Sequence, residues 1–312
     1  MRELRCAICG QVDDVLILYR STLPAHTVNV DPYAAHYQIN RCRRCELVYS
    51  SPIFDDVEVA GLYMNSLHGN VAGGEEVNAR RTMALYYDLV KPHLPGRRRI
   101  LDVGCDVGFL LDVARGDGFG DLYGIEPNPV ARAAAAELPG ARISSRFYEE
   151  QDFPDDHFDF IALVHVLDHL VDPRRVLERA RRHLRPHGVI LAVVHDVRSL
   201  LARVMGERFP PYNLYHHYFF SKTTLSRLVE FGGFEPVWVG RTYNCYSIRF
   251  LVTKAPAVPA LIKRAALSIF KRLGVDSRPV TLPLGNIAIV ARRPVGERNT
   301  PSAKLVCDQG RQ

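Results

Sequence analysis

The sequence predicts an α/β fold built on a doubly wound parallel sheet, with a small cysteine-bearing module in front of it. Residues 99–129 read as a buried strand, a glycine turn, a helix and a second strand, which together form one βαβ unit of such a sheet. Two more apolar strands follow, in FDFIALVHVLDHLVDP and in VILAVV at 189–194. Two Cys-x-x-Cys pairs within residues 1–50 predict the module.

The first strand of the βαβ unit runs into a turn bracketed by glycines. Ile100, Leu101 and Val103 form a short apolar run, as expected of a strand that is buried on both faces. Gly104 and Gly108 follow this run. Glycine allows the backbone to bend tightly there and lets a ligand lie against the chain, because no Cβ is in the way.

The second strand of the unit, Leu122 to Ile125, ends on Glu126. An acid at this position can accept hydrogen bonds from two ribose hydroxyls. A nicotinamide-dependent dehydrogenase also has a glycine turn and an acid. Here, however, Asp102 precedes the turn, the turn has no third glycine at the dinucleotide position, and a further strand follows. The pattern therefore argues against a dehydrogenase.

Four segments carry a resemblance to a known family: LDVGCDVGFLL, YGIEPNP, FDFIALVHVLDHLVDP and HLRPHGVILAVV. In this order, over about residues 97–195, they resemble the class I S-adenosylmethionine-dependent methyltransferases. The resemblance implies a Rossmann-like sheet, methyltransferase activity and S-adenosylmethionine as the cofactor. It also implies a set of cofactor-binding residues, namely Asp102, Gly104, Cys105, Gly108, Glu126, Pro127, Tyr148 and His165.

The resemblance assigns roles to these residues and shows two departures from the family pattern. Glu126 is expected to hold the ribose, and His165 is expected to line the methionine pocket. Asp106 stands where the family loop commonly has its middle glycine, and Phe147-Tyr148 stands where an acid often reaches the adenine amine. Adenine is therefore expected to be bound by backbone groups and by stacking on Tyr148.

The N-terminal module carries the cysteines Cys6, Cys9, Cys42 and Cys45. Where thiols stay reduced, two such pairs are the ligand set of a tetrahedral zinc site; a disulfide pair and four free thiols are the alternatives. Because four sulfur ligands leave no position for water or substrate, the zinc would be structural. The pairs and the segment CELVYSSP resemble the zinc-binding leader of a bacterial group of methyltransferases that modify sugars and natural products.

Composition and charge argue against several classes of protein. Of 312 residues, 47% are hydrophobic and 24% are charged, which is ordinary for a globular chain. The N-terminus has no apolar core of signal-peptide length, and no stretch approaches the ~20 apolar residues of a membrane span, so a cytoplasmic protein is expected. The net charge of +6 is spread along the chain and is densest in 97–99 and 174–185, a pattern that does not favour nucleic acid as a partner.

The chain is expected to divide into five parts. They are a zinc-binding module (1–55), a connector with a lid helix (56–96), the cofactor-binding core (97–255) with a substrate insertion at about 196–222, an amphipathic helix with the last strand (256–295), and a disordered tail (296–312). Tyr63 of the connector either contacts the ligand or belongs to a plain linker. The last strand, NIAIVARRP, is expected to pair antiparallel at the sheet edge.

The amphipathic helix at 256–274 has three possible roles. Its apolar stripe could pack on its own domain, form a dimer contact or lie on an anionic membrane surface, because lysines and arginines flank the stripe. A monomer and a homodimer therefore both stay open, and membrane association is the least favoured of the three.

The insertion holds the candidate catalytic residues. Its aromatic density around 212–220 is typical of the lining of a small-molecule pocket. The segment resembles the His-x-x-x-Phe-Ser motif of the zinc-leader methyltransferases, which places His216 at the position of a general base and leaves His217 as a second candidate. Asn213 stands where that motif usually has a tyrosine. A neutral imidazole can take a proton at physiological pH; alternatively, both histidines only hydrogen-bond and pack the loop.

Two further polar residues, Asp168 and His169, follow the strand that ends in ALV. Ligands of open α/β sheets bind at the carboxyl ends of the strands. These side chains therefore either face the substrate or cap the loop and the helix that follows.

The expected reaction is the transfer of a methyl group from S-adenosylmethionine to a small-molecule acceptor, either a nucleotide-linked sugar or a natural-product intermediate. The acceptor atom can be carbon, oxygen or nitrogen. An RNA methyltransferase whose zinc module grips nucleic acid is the alternative. A third hypothesis is a scaffold protein that no longer binds the cofactor, and Asp106 is the residue that supports it.

Overall fold

A seven-stranded sheet forms the centre of the computed structural model, which describes residues 1–23, 31–55, 58–59, 61, 74–255 and 258–295. Its strands follow one another across the sheet as β10 (Glu235–Arg241), β13 (Asn286–Arg292), β8 (Leu184–His195), β7 (Phe158–Val164), β4 (Arg99–Val103), β5 (Asp121–Ile125) and β6 (Ala141–Ser144). The strands from β8 to β6 run parallel, whereas β13 pairs antiparallel with both β8 and β10. The predicted Rossmann-like α/β fold is confirmed. The expectation that the last strand lies at the sheet edge is wrong, because β10 occupies that edge.

Helices cover both faces of this sheet. They are α1 (Glu76–Val90), α2 (Phe109–Gly116), α3 (Pro129–Ala136), α4 (Pro173–His183), α5 (Leu200–Met205), α6 (Lys222–Phe231), α7 (Ile248–Lys254) and α8 (Ala260–Arg272). Ile100 belongs to a buried cluster with Tyr86 of α1, and its neighbour Leu101 belongs to another with Leu177 of α4. Successive strand residues point to opposite faces, so each face of the sheet has its own hydrophobic core.

A four-stranded antiparallel sheet joins the N-terminal module to the core. Its strands are β1 (Val15–Tyr19), β2 (Ile39–Cys42), β3 (Val48–Ser50) and β9 (Tyr218–Phe219), in this order. Strand β9 belongs to the insertion that follows β8, so the module supplies three strands and the insertion supplies the fourth. A separate pair of strands, β11 (Asn244–Ser247) and β12 (Pro279–Leu282), packs beside α1.

Several aromatic residues of the insertion pack inside the protein. Tyr218, Phe219 and Phe220 are almost completely buried. The ring centroid of Phe219 lies 4.8 Å from that of Tyr212, which in turn lies 5.6 Å from that of Tyr19 in β1. For the three buried rings, the expectation that they line a small-molecule pocket is wrong, since they hold the module against the core.

The predicted amphipathic helix forms as α8, but its apolar stripe stays exposed. Leu261, Ile262 and Ile269 are each more than half exposed, and no residue of α8 is buried. The expectation that this stripe packs on its own domain is therefore wrong. Among the described residues, no helix combines the length and the hydrophobicity needed to cross a membrane. Tyr63 and the tail 296–312 lie outside the described residues.

The packing around β5 is so tight that adding one methyl group should destabilise the protein. A Cβ on Gly124 of β5 would lie 2.7 Å from both Cys105 Sγ and Ile143 Cδ1. We expect Gly124→Ala to lower the free energy of unfolding by about 1–3 kcal/mol, because overpacking forces neighbouring groups apart. Urea denaturation measures the change.

The matched control is Gly116→Ala at the end of α2, where an added Cβ has open space around it. There the loss of unfolded-state entropy should raise the stability by about 0.4–1 kcal/mol. Equal unfolding midpoints for the two variants would contradict the described packing of β5.

Candidate active site

The turn after β4 has the shape of a ligand cradle. Gly104 and Gly108 have φ of +71° and +86°, a backbone region that favours glycine. The backbone N–H groups of Gly104 and Cys105 both donate to the carbonyl of Ile125, at 2.8 and 3.0 Å. A Cβ on Gly104 would lie 3.0 Å from Val166 Cγ2. The turn is therefore fixed to the end of β5 and leaves no room for a side chain at residue 104.

Glu126 ties this turn to the next helix. Its carboxylate accepts a hydrogen bond from the backbone N–H of Asp106 at 3.0 Å and another from that of Asn128 at 2.8 Å. Asp106 itself has φ of +48°, a left-handed conformation that aspartate adopts more readily than most residues. The departure from glycine at residue 106 therefore preserves the turn. Glu126 is buried at the carboxyl end of β5.

Asp102 is a buried carboxylate that lacks a full set of partners. It is 3% exposed, and among the described residues its Oδ1 atom has no hydrogen bond. Burial raises the pKa of Asp102 well above its usual value, and the nearby carboxylates of Glu126 and Asp106 add to the rise. A buried carboxylate of this kind is stabilised by a cationic or hydrogen-bond-donating group.

The remaining residues predicted from the cofactor loop have different surroundings. The Cys105 side chain is buried, and its Sγ atom lies 3.8 Å from the carbonyl oxygen of Asp106 in the turn. The carbonyl of Pro127 accepts a hydrogen bond from Arg132 Nη1 at 3.1 Å. Tyr148 is buried, its hydroxyl lies 2.8 Å from His183 Nδ1, and its ring meets that of His183 edge-on. The expected adenine stacking on Tyr148 is therefore not possible here, because the ring presents no open face.

Four histidines and one aspartate meet at the carboxyl ends of β7 and β8. They are His165, Asp168, His169, His195 and His216. The ring centroids of His165 and His195 are 4.8 Å apart, and those of His169 and His216 are 4.2 Å apart. Asp168 is 1% exposed, and burial raises its pKa to about 7, against the opposing effect of its own backbone N–H and that of His195. We call these five residues the histidine cluster.

Asn213 determines which ring nitrogen of His216 carries the hydrogen atom. The Asn213 amide group donates to the carbonyl of Pro210 at 3.0 Å, and its Oδ1 atom accepts from the N–H of Tyr215 at 2.9 Å. The same Oδ1 atom lies 2.9 Å from His216 Nδ1, which must therefore donate. The lone pair of His216 is then on Nε2, 3.9 Å from Asp168 Oδ2. Asn213 thus orients the histidine from the place where the related motif has a tyrosine.

Burial keeps the candidate base neutral. It lowers the pKa of His216 well below its usual value, and the neighbouring histidines lower it further. His217 has different surroundings, since its ring contacts Tyr37 and its backbone N–H donates to the carbonyl of Asp168 at 2.7 Å. Burial lowers the pKa of His217 to about 4. Of the two predicted catalytic histidines, only His216 therefore belongs to the histidine cluster.

Sequence reasoning missed two members of this region. His195 is the last residue of β8, and its Nδ1 atom lies 2.9 Å from Asn286 Oδ1 at the start of β13. The available signal is positional: a histidine directly after an apolar strand lies at the edge where ligands bind. The partner Asn286 has no local signal, because it is 91 residues away in the chain.

The four predicted cysteines converge in the N-terminal module. Cys6 Sγ lies 3.2 Å from Cys45 Sγ, Cys9 Sγ lies 3.5 Å from Cys42 Sγ, and all four sulfur atoms are within 4.8 Å of one another. Both pairs have the same turn: the backbone N–H four residues after the first cysteine donates to that cysteine's carbonyl at 2.9 Å. The residue at this position, Gly10 or Glu46, has a positive φ. All four thiols are free, in an arrangement that could hold one tetrahedral metal ion.

Residues 75–239 match a protein family described as a methyltransferase domain. The ubiquinone biosynthesis O-methyltransferase of Azorhizobium caulinodans is 27% identical over 118 residues, which cover 36% of this chain and 46% of that protein. The tRNA U34 carboxymethyltransferase of Shewanella loihica is 32% identical over 139 residues, which cover 41% of this chain and 42% of that protein. The chain spans about half the length of the curated relatives it matches.

A solved structure shares the fold. A chain of the Haloferax volcanii complex that contains the Trm112 methyltransferase activator aligns with a TM-score of 0.51 and 15% sequence identity. The alignment covers 72% of this chain and 94% of that chain. At this level of identity, the likeness supports the fold alone.

Proposed function

The chain belongs to the methyltransferase domain family, whose match covers more than half of its residues, and from this premise we propose that it transfers a methyl group from S-adenosylmethionine to a small-molecule acceptor. The observation that carries the proposal is the position of His216 Nε2, 3.9 Å from Asp168 Oδ2, at the same sheet edge as the glycine turn. This edge is where open α/β sheets bind ligands. A proton acceptor and a cofactor cradle would therefore face one reaction space.

The residues at the end of β4 and β5 fit the cofactor. S-adenosylmethionine supplies a methyl group that is already activated by a positively charged sulfur. The positive φ of Gly104 shapes the turn, and the Glu126 carboxylate lies at the strand end, where open α/β sheets bind the ribose of a nucleoside. Asp102 has an unpaired, buried oxygen that suits a cationic or N–H group of the ligand. We assign these three residues to cofactor binding and His165, at the end of β7, to the methionine side.

The protein's own chemical contribution is positioning and proton transfer. His216 is neutral, and its Nε2 atom carries the lone pair, so it can take a proton from an acceptor hydroxyl, amine or acidic carbon. Asn213 keeps the ring in this orientation. Asp168 and His216 are buried, which limits the access of water to the proton acceptor. Alignment of acceptor and methyl group supplies much of the remaining rate enhancement.

Arginines of the densest basic segments are engaged in contacts within the protein, which favours a small-molecule acceptor over RNA. Arg97 and Arg99 pair with Asp117 and Asp121, at 2.6 and 3.0 Å. Arg174 donates to backbone carbonyls of the N-terminal module. These cations are engaged within the protein, which leaves less positive charge for phosphate contacts. The similarity to a tRNA-modifying relative keeps RNA as the alternative acceptor.

We further propose that the cysteine cluster holds a structural zinc ion. The convergence of four thiols from two identical turns supports it, and the module has little core of its own. Arg174 and Arg227 donate to backbone carbonyls of both cysteine turns, so the metal would also stabilise the contact with α4 and α6.

The first test identifies the acceptor. Purified protein is incubated with extract of its source cells and S-adenosylmethionine that carries a labelled methyl group, and the products are analysed by mass spectrometry. We expect label in a small metabolite, and no turnover with His216→Ala. The control His187→Ala, which changes an exposed histidine far from the cluster, should keep full turnover. Label that appears only in RNA would reject the small-molecule assignment, and full activity of His216→Ala would reject the assigned base.

The second test concerns the cofactor. We expect Glu126→Ala to weaken S-adenosylmethionine binding about 10- to 100-fold in calorimetry, because a hydrogen bond to a charged group contributes about 1.5–3 kcal/mol. The control Glu137→Gln changes an exposed carboxylate after α3 and should bind like the native protein. No binding by the native protein would point to a scaffold without cofactor, and unchanged binding by Glu126→Ala would remove the ribose assignment.

The third test concerns the cysteine cluster. We expect Cys42→Ser to lose the tightly bound zinc and to unfold several degrees earlier, at about 2–4 °C for each kcal/mol lost. The control Cys245→Ser changes a buried cysteine outside the cluster and should retain the zinc. Zinc analysis and thermal unfolding give both readouts. A native protein that lacks zinc after purification without chelators, or a Cys42→Ser variant with full zinc content, would contradict the proposal.

A further inference from the structure

We propose that His165, Asp168 and His195 bind a divalent transition-metal ion at the carboxyl ends of β7 and β8. One ligand atom from each of the three side chains lies within 4.8 Å of those from the other two. Atoms at this separation can close around a single ion with small side-chain movements, because metal–ligand bonds to imidazole and carboxylate are about 2.0–2.2 Å long. The site is distinct from the cysteine cluster of the N-terminal module.

The surroundings of Asp168 favour a bound cation. Its side chain is almost completely buried, and within the described part of the chain neither carboxylate oxygen has a hydrogen bond of normal geometry. A buried carboxylate without partners is costly, and proteins pair such groups with cations or metals. The side chains that face it most closely are imidazoles, His169 at 4.0 Å and His216 at 3.9 Å, and neither is within hydrogen-bond distance. A cation would satisfy the carboxylate.

His195 is oriented so that its Nε2 atom can bind a metal ion. The Asn286 amide group donates to Asn244 Oδ1 at 3.0 Å and approaches the Tyr86 hydroxyl at 3.4 Å, which fixes its oxygen toward His195. His195 Nδ1 must donate to that oxygen at 2.9 Å, so its Nε2 atom carries the lone pair. Histidines that bind metals commonly donate their other ring N–H to a carbonyl or carboxylate in this way.

The backbone of His165 has φ of +52°, although the residue is neither glycine nor at a chain end. Histidine adopts this left-handed conformation more readily than most residues, but it is uncommon outside glycine. Such conformations tend to occur where function requires a particular side-chain position. Its Nδ1 atom is buried and, among the described residues, has no hydrogen-bond partner. The His165 ring lies beside that of His195, with centroids 4.8 Å apart.

The ligand chemistry indicates the kind of ion. Two imidazoles and one carboxylate suit zinc, iron(II) and similar first-row ions rather than magnesium or calcium, which prefer oxygen ligands. Three protein ligands leave at least one position open for water or an oxygen of the bound molecule. This inference rests on the proposed methyl transfer. We infer that the methyl acceptor binds to the ion through an oxygen atom, next to the cofactor.

A second set of side chains also converges on Asp168, namely His169 and His216. We assign the ion to His165 and His195, because His165 directly follows β7 and His195 is the last residue of β8, on paired strands of the central sheet, whereas His216 lies in the insertion. This choice also leaves the Nε2 atom of His216 available as the proton acceptor.

Cobalt(II) is the probe that tests the site. It is titrated into the purified full-length chain with its native zinc content, and the visible ligand-field absorption is followed. Thiolate-to-cobalt charge transfer would report exchange at the cysteine cluster and is recorded separately. We expect one cobalt ion per chain without that charge-transfer band. In Asp168→Asn and in His195→Gln, the affinity should fall about 100-fold or more, since even indirect ligand partners contribute 10- to 100-fold.

Two controls make the result specific. His157→Gln changes a partly buried histidine outside the histidine cluster and should bind cobalt like the native chain. His216→Gln should bind cobalt within about threefold of the native chain yet lose methyl transfer. If Asp168→Asn fails to fold, as judged by circular dichroism, His165→Gln replaces it with the same expected loss.

The outcomes separate this inference from the proposed function. Absence of cobalt binding by the native chain, or binding that is lost in His216→Gln and kept in His195→Gln, would overturn the assigned ligands. Calorimetry with S-adenosylmethionine is run on the same samples. A chain that binds S-adenosylmethionine but no cobalt fails only the metal inference, whereas a chain that binds cobalt but no S-adenosylmethionine fails only the proposed function.

Discussion

Parallel hydrogen bonding between β4, β7 and β8 is the constraint on which the candidate site depends. Asp102 in β4 pairs with Ala162 in β7, and Val164 in β7 pairs with Val193 in β8. The backbone N–H of His165 donates to the carbonyl of Val193 at 2.8 Å, which extends this pairing by one residue. Parallel strands end at a common edge, so residues from three distant parts of the chain meet there. A slip of one residue would turn every one of these side chains to the opposite face.

The N-terminal module is part of this arrangement rather than an appendage. Ser50 of β3 donates its backbone N–H to the carbonyl of His217 at 2.8 Å, and its hydroxyl donates to the carbonyl of His216 at 3.2 Å. The turn at Cys42 and Cys45 joins β2 to β3, so whatever stabilises it also fixes the segment that carries the candidate base. If the module holds the proposed zinc ion, its loss would disturb the histidine cluster through the contact of β3 with β9.

The sequence predicted what depends on local pattern, and missed what depends on distant pairing. Apolar runs and glycine turns identified the strands and the cradle, because burial and backbone geometry restrict which residues stand there. The positions of β13 and Asn286 are set by strands far away in the chain, which no local pattern encodes. Aromatic density misled for a physical reason: Tyr218 and Phe219 suit a pocket wall and a packed sheet equally well. The pairing of β9 with β3 of the N-terminal module places these two residues in a packed sheet, and this pairing is not visible in the local sequence.

Ionisable groups are distributed unevenly along the sheet edge: carboxylates surround the glycine turn, and imidazoles lie beyond β7. Asp102, Asp106 and Glu126 place carboxylates around the glycine turn, and their mutual repulsion helps to raise the pKa of Asp102. Beyond β7, imidazoles surround one carboxylate, Asp168, and burial lowers the pKa of His165, His195 and His216. A cation bound on the first side relieves repulsion between acids. The second side suits a proton or a metal ion, because imidazole nitrogens lie close to a buried carboxylate. Under the proposed methyl transfer, the edge would receive the sulfonium at one end and withdraw a proton from the acceptor at the other.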